Sequence, residues 1–296
     1  MHDDYLDKNF RDYLAVCCKR CKNSNLTIYD IFHDTPDDNL WHVLISREYD
    51  NYQLIKQKLP GLPPPELQAA WCGNSRWNLC QQSFAFYKRA KDIFSTLGNV
   101  KLPSAVLLDF GCGWGRLLRY FAKDMPDKAL FGCDPDENII KLCAELKVPG
   151  TIRLSDYRPK SLPFTEKFNF VFAFSVFTHL SEKSHLECLQ CIHDGMVDNG
   201  ILIVTVRPPE YIKIRGGELS RLSAGSINDM ITKYKDGKFI FLPHGRAPID
   251  GDITYGEAII PTSYIEKNWS KMFTLVKTLV FIADPNQVLV ILRKRG

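Results

Sequence analysis

Four acidic or glycine landmarks and one histidine carry the chemistry this chain can do. Residues 104–116 run Ser-Ala-Val-Leu-Leu-Asp-Phe-Gly-Cys-Gly-Trp-Gly-Arg. An apolar stretch, Ala105 to Leu108, ends in the acid Asp109, and Gly111, Gly113 and Gly115 follow at alternate positions. Leu117, Leu118, Tyr120 and Phe121 then begin a helical pattern. The spacing predicts a buried parallel strand, a tight glycine turn and a helix. Glycines allow backbone conformations closed to other residues and let a ligand come close. The helix start offers free N–H groups at the same place.

Arg116 stands where a G-x-G-x-x-G dinucleotide fingerprint has its third glycine, so a nicotinamide or flavin ligand is disfavoured. A carboxylate at Asp109 sits badly beside a pyrophosphate and well beside an ammonium. The loop therefore suits a nucleoside with a cationic amino-acid tail; its structural alternative is a turn with no ligand. Ala129 to Phe131 form a second short apolar strand, closed by Gly132-Cys133-Asp134. Asp134 follows Asp109 by 25 positions, near the spacing at which an acid after the second strand meets ribose hydroxyls. Two acceptor oxygens suit a vicinal diol; capping the next helix is the other reading of Asp134.

This pattern resembles the first motif of the class I S-adenosylmethionine-dependent methyltransferases, and the order of later landmarks extends the resemblance over about residues 75 to 206. Asp156, in Ser155-Asp156-Tyr157, stands six residues before Leu162-Pro163-Phe164, where the family carries an acid that accepts from the adenine amino group. A solvated loop acid is the alternative. Phe168 to Phe174 is a fourth-strand candidate, with Asn169 where the family has Asp. A helix over about 182–196, an Asn199-Gly200 turn and a fifth strand, Ile201 to Val206, complete the order.

The resemblance implies S-adenosylmethionine as cofactor and an in-line methyl transfer, with Asp109, Gly111, Cys112, Gly113, Trp114, Asp134, Asp156, Tyr157 and Phe174 as its contacts. Trp114, Tyr157 and Phe174 are candidates to line the sulfonium through cation–π attraction, or are ordinary packing. Cys112 fits the loop because it is small, not as a nucleophile. A hydroxyl acceptor must also lose a proton, and His179, after the fourth strand, is the candidate general base. It could instead cap the next helix or fix its loop. His244 and Tyr255 are secondary candidates.

The elements that must position these residues read as an α/β, doubly wound, Rossmann-like seven-stranded sheet with an antiparallel edge hairpin. Residues 1–100 read as a helical extension, with segments near 4–22 and 38–58, a break at Pro63-Pro64-Pro65 and a long helix from Ser75 to Leu97. Part of it, 60–95, is a candidate lid. Residues 101–296 read as the methyltransferase core, with 207–262 inserted as an acceptor-binding cap. That segment holds Pro208-Pro209, Gly216-Gly217, a helix near 225–235 and Phe239-Ile240-Phe241. A helix near 262–271 and strands at 274–282 and 287–292 close the chain.

With 296 residues, 45% hydrophobic and 24% charged, the chain has the composition of an ordinary globular protein. A net charge of +4 is too small to signal nucleic acid by itself. No apolar stretch reaches membrane-spanning length, and Met1-His2-Asp3-Asp4 is not a basic signal segment, so a cytoplasmic protein is expected. Cys18-x-x-Cys21 and Cys188-x-x-Cys191 have metal-pair spacing, but both sit on apolar helical stripes with no completing histidine; reduced buried thiols and no metal site are expected. No Asn/Asp-Pro-Pro-aromatic motif follows the fourth strand, and no Pro-Cys dipeptide occurs, which argues against methylation of nucleic-acid bases. The expected acceptor is a hydroxyl (or amine) of a small molecule, such as a sugar or glycan unit. A protein or RNA methyltransferase and a non-catalytic assembly module are the other classes.

Overall fold

The computed structural model describes residues 8–46, 52–213, 224–243 and 248–296. Its strands are β1 Leu107–Phe110, β2 Leu130–Asp134, β3 Thr151–Leu154, β4 Phe168–Ala173, β5 Met196–Val206, β6 Ile240–Pro243, β7 Gly256–Ile259, β8 Phe273–Val280 and β9 Val288–Lys294. Seven of them form a mixed sheet in the order β3-β2-β1-β4-β5-β9-β8, and β6 and β7 make a separate two-stranded sheet. The chain divides into two compact units, Met1–Ser155 and Asp156–Gly296.

In the first unit β1, β2 and β3 pair in parallel, with Asp109 opposite Gly132 and Asp134 opposite Leu154. All four residues of β1 are buried, which explains a strand with no polar alternation. The helices before it are Lys8–Cys21, Ile28–Phe32, Asp38–Ile45, Gln53–Lys58, Pro65–Cys72 and Arg76–Leu97. The expected single segment at 38–58 is thus two helices. The short one at Ile28 was unforeseen; it starts on a capping box in which Thr27 and Asp30 satisfy each other's backbone N–H.

The aromatics of these helices pack around one buried imidazole. The His42 ring stacks on Phe84 at 4.3 Å and on Trp77 at 4.5 Å, and its Nδ1 is 3.0 Å from the Tyr120 hydroxyl. Trp41 Nε1 donates to the Tyr120 carbonyl at 2.8 Å. That contact bears on the segment after the glycine turn, expected as a helix and observed as a 3-10 helix, Leu118–Lys123. In an α-helix the Tyr120 carbonyl would accept from Asp124. Here the Trp41 indole occupies it, and Asp124 N–H turns to Phe121 O at 3.0 Å.

In the second unit β4 and β5 are parallel, while β9 runs antiparallel to both β5 and β8. The hairpin β8–β9 is the expected antiparallel edge. β5 starts at Met196, five residues before the expected Ile201; Asn199 takes φ +62 within it, and after a register shift the strand pairs regularly with β4 from Ile201. Residues 207–262 contain the helix Ala224–Lys235 and the pair β6–β7, gathered on a small core of Tyr211, Ile212, Met230, Ile240 and Ile259. Gly216, Gly217 and the candidate His244 lie outside the described residues. The helix Thr262–Asn268 is shorter than expected.

Among the described residues no helix is long and apolar enough to cross a membrane. All ten cysteines are free, and no described cluster of His, Cys, Asp and Glu could hold a metal ion.

Candidate functional site

The loop after β1 is built from its glycines. Gly111, Gly113 and Gly115 have φ of 75°, 50° and 72°, a region that favours glycine. The N–H groups of Gly111 and Cys112 both donate to Cys133 O, at 2.8 and 3.0 Å, which fastens the loop to the end of β2. A β-carbon on Gly113 would meet nothing within 4 Å, whereas one on Gly115 would stand 2.3 Å from Val148 Cγ1. Gly113 therefore borders open space and Gly115 is the close-packing position. The packing role sought at Arg116 is filled one residue earlier. Arg116 instead donates to Gln82 Oε1 at 2.9 Å and Ser83 Oγ at 3.0 Å.

Asp109 is 2% exposed, and its Oδ2 has no hydrogen-bond partner. Burial pushes its carboxyl well above the usual carboxylate range; the Arg116 charge pulls it back and Asp134 adds to the rise. A buried carboxyl with one unpaired oxygen is costly unless a cation or donor completes it. Asp134 is half-buried. Its Oδ2 accepts from Gly113 N at 3.0 Å and its Oδ1 from Asp136 N at 3.1 Å. It is not the cap of the next helix; Asp136 is, accepting from Asn138 N.

Two neighbours of the loop are already engaged. The Arg119 guanidinium lies 4.9 Å from the centre of the Trp114 ring, so the indole already carries a resident cation, and Trp114 Nε1 is buried without a partner. Cys112 is buried, and contact with Cys143 together with burial raises its thiol well above the ordinary range. It is an inert structural thiol.

In the second unit Asp156 and Tyr157 are exposed. Phe174 is buried and meets Phe281 edge to face, with ring centres 5.8 Å apart. Ser175, next in line, adopts φ +60, held by a bond from its N–H to Thr205 Oγ1 at 2.7 Å and by Gln287 Nε2 on its hydroxyl at 3.2 Å. Strained non-glycine backbone at a strand end is a feature of functional sites.

His179 is zipped to β7: Gly256 N–H donates to His179 O at 2.9 Å and Ala258 N–H to Thr178 O at 2.8 Å. Its Nδ1 is 2.9 Å from Gly256 O. A carbonyl only accepts, so Nδ1 carries the proton and the neutral ring has its lone pair on Nε2. The Tyr255 ring stacks on the imidazole at 5.2 Å. Glu257, 2% exposed, holds Oε1 3.8 Å from Nδ1 and is paired through Oε2 with Arg207. The sequence reading passed over Glu257, Arg207 and Ser175. The available signal was an acid at the head of an apolar run, Glu257-Ala258-Ile259-Ile260.

Residues 107–200 match a family model described as a methyltransferase domain. Among curated proteins none matches the chain in sequence. Solved structures similar to it include a glycopeptide N-methyltransferase complexed with S-adenosyl-L-methionine, at 12% identity over 71% of this chain and 94% of that one, with a TM-score of 0.47. An S-adenosylmethionine-dependent methyltransferase from Clostridium acetobutylicum has 7% identity over 73% and 92%, with a TM-score of 0.47. Magnesium protoporphyrin IX methyltransferase from Synechocystis, with bound SAH, has 14% identity over 74% and 87%, with a TM-score of 0.45.

Proposed function

We propose, from the premise that residues 107–200 are a methyltransferase domain, that this enzyme moves a methyl group from S-adenosylmethionine to a hydroxyl (or amine) of a small molecule. A sugar or glycan unit is the acceptor class we favour. The observation that carries the reading is Asp109: a buried carboxyl with an unpaired oxygen beside a loop of left-handed glycines. That donor set fits a ligand with an ammonium tail and a ribose.

In this reading Asp109 takes the ammonium, and Asp134 accepts from the ribose hydroxyls while holding the loop through Gly113. Gly111, Cys112 and Gly113 let the ligand approach backbone. Trp114 contributes its unpartnered indole N–H, since its ring already carries Arg119. Asp156 is assigned to the adenine amino group, and Tyr157 and Phe174 to the apolar lining, on the family resemblance.

When bound, the cofactor supplies a methyl group already activated on a cationic sulfur, so the protein mainly positions and desolvates. His179 takes the proton that the acceptor loses. Its Nδ1–H is committed to Gly256 O, which directs Nε2 to that task. We assign the protein to the cytoplasm, in keeping with its free thiols.

Isothermal titration with S-adenosylmethionine tests the reading. Saturable binding in the micromolar range is expected; no heat at high-micromolar cofactor would support a non-catalytic fold instead.

A further inference from the structure

We propose that Glu257 and Arg207 are positioning residues that set the orientation and proton affinity of His179. The inference rests on His179 acting as the base, and it extends that role to two residues far from it in sequence.

Glu257 lies in β7 between Gly256 and Ala258, whose N–H groups are the two that zip β7 to His179 and Thr178. Its carboxylate is buried, a placement that needs a compensating charge. Arg207, just past β5, supplies it: Nη2 is 3.2 Å and Nε 3.3 Å from Oε2. The guanidinium is itself fixed, with Nη1 donating to Asn286 O at 3.3 Å and Cζ 4.2 Å from the Tyr211 ring centre.

Both guanidinium contacts fall on Oε2. The other oxygen, Oε1, is directed to His179, 3.8 Å from Nδ1. The side of the imidazole that carries the proton therefore faces a carbonyl and a carboxylate at once. Tyr255 fixes the plane of the ring by stacking on it.

Glu257, Gly256 O and Tyr255 face the ring, with Arg207 behind the acid. A carboxylate alone would raise the proton affinity of the imidazole, and a guanidinium alone would lower it. The two act on the ring in opposite directions, so the pair as a whole sets its proton affinity. A salt bridge with only a structural role would hold β7 to the end of β5 without affecting the titration of His179.

The test is the titration of His179 in the intact chain by long-range proton–nitrogen NMR, with its signals identified by their loss in His179→Asn. Wild type should show the Nδ1–H tautomer. In Glu257→Gln the midpoint should fall by about one pH unit or more, and in Arg207→Gln it should rise. The acid limb of kcat should move the same way, while cofactor affinity stays constant.

Should Glu257→Gln not fold, Glu257→Asp and Arg207→Lys replace the pair; they should give smaller shifts in the same two directions. An unmoved midpoint in folded variants overturns the inference. Turnover unchanged in His179→Ala sinks the base reading itself, whereas turnover lost there with an unmoved titration sinks only the role of Glu257 and Arg207.

Discussion

Asp134 Oδ2 accepts the backbone N–H of Gly113 at 3.0 Å, so the acid that ends β2 and the glycine loop that follows β1 form one hydrogen-bonded unit. The other oxygen takes Asp136 N–H at 3.1 Å. Asp134→Ala removes both acceptors. A loss of about 1–3 kcal/mol is expected for hydrogen bonds to a charged group, measurable by urea unfolding. Cofactor affinity should fall at least about tenfold, or 1.4 kcal/mol. Asp134→Asn retains one acceptor and should fall between. Unchanged affinity in the alanine variant would remove Asp134 from the site.

Gly115 is the tightest point of the loop. Gly115→Ala puts a β-carbon 2.3 Å from Val148 Cγ1 and 2.9 Å from Cγ2, at a φ of +72°. Overpacking and a strained φ each cost about 1–3 kcal/mol. The double variant with Val148→Ala should recover part of the loss, since the steric half of the penalty is relieved. A thermal melt series of the four proteins gives the coupling; strict additivity would contradict the packing account.

The legible parts of this molecule were local. An apolar run, an acid and three glycines within a few residues predict a strand and its turn, and the order of later landmarks predicts the sheet. What escaped depends on partners distant in the chain. Trp41 reaches the Tyr120 carbonyl from 79 residues away, in a segment that forms a 3-10 helix where helical spacing predicted an α-helix. Val148 gives Gly115 the packing role that a fingerprint placed at Arg116. The His179–Glu257 relation joins the stretch after β4 to β7, far apart in the chain, and no periodicity in either stretch signals it. Asp134 reads on sequence alone as a ribose-binding acid or a helix cap; the structure gives the cap to Asp136, which accepts from Asn138 N.

Two buried imidazoles predict the acid limit of the fold. Burial pushes His42 down to about 4 and His185 down to about 3. Their folded values lie below the unfolded value of about 6.5. Between those limits the unfolded chain binds more protons, so stability rises with pH and is lost as pH falls from about 6.5 toward 4 and 3. Melting temperature should drop over that window. His42→Phe, which keeps the stacked ring, should shrink the drop; an unaltered slope would mean that His42 does not remain neutral in the fold.

His179→Ala should lower kcat by about two to four powers of ten if Nε2 takes the acceptor's proton. The assay is methyl transfer from labelled S-adenosylmethionine to hydroxyl- and amine-bearing small molecules, run with the acceptor that wild type uses. Cofactor affinity should be preserved. Full turnover in the variant would end the base assignment.

The decisive measurement is calorimetric titration of S-adenosylmethionine into wild type and Asp109→Asn, side by side with their melting curves near neutral pH. In the ligand-free fold the ionised Asp109 is destabilising, because its folded pKa is raised and stability is lost as pH climbs toward it. The asparagine variant should therefore melt no lower than wild type, yet bind the cofactor at least about tenfold more weakly. At a pH below that raised folded pKa, wild type should also release protons on binding, seen as a heat that varies with buffer, because a cationic tail draws Asp109 into its charged form. Equal affinity in the two proteins, or no binding to either, would contradict the account.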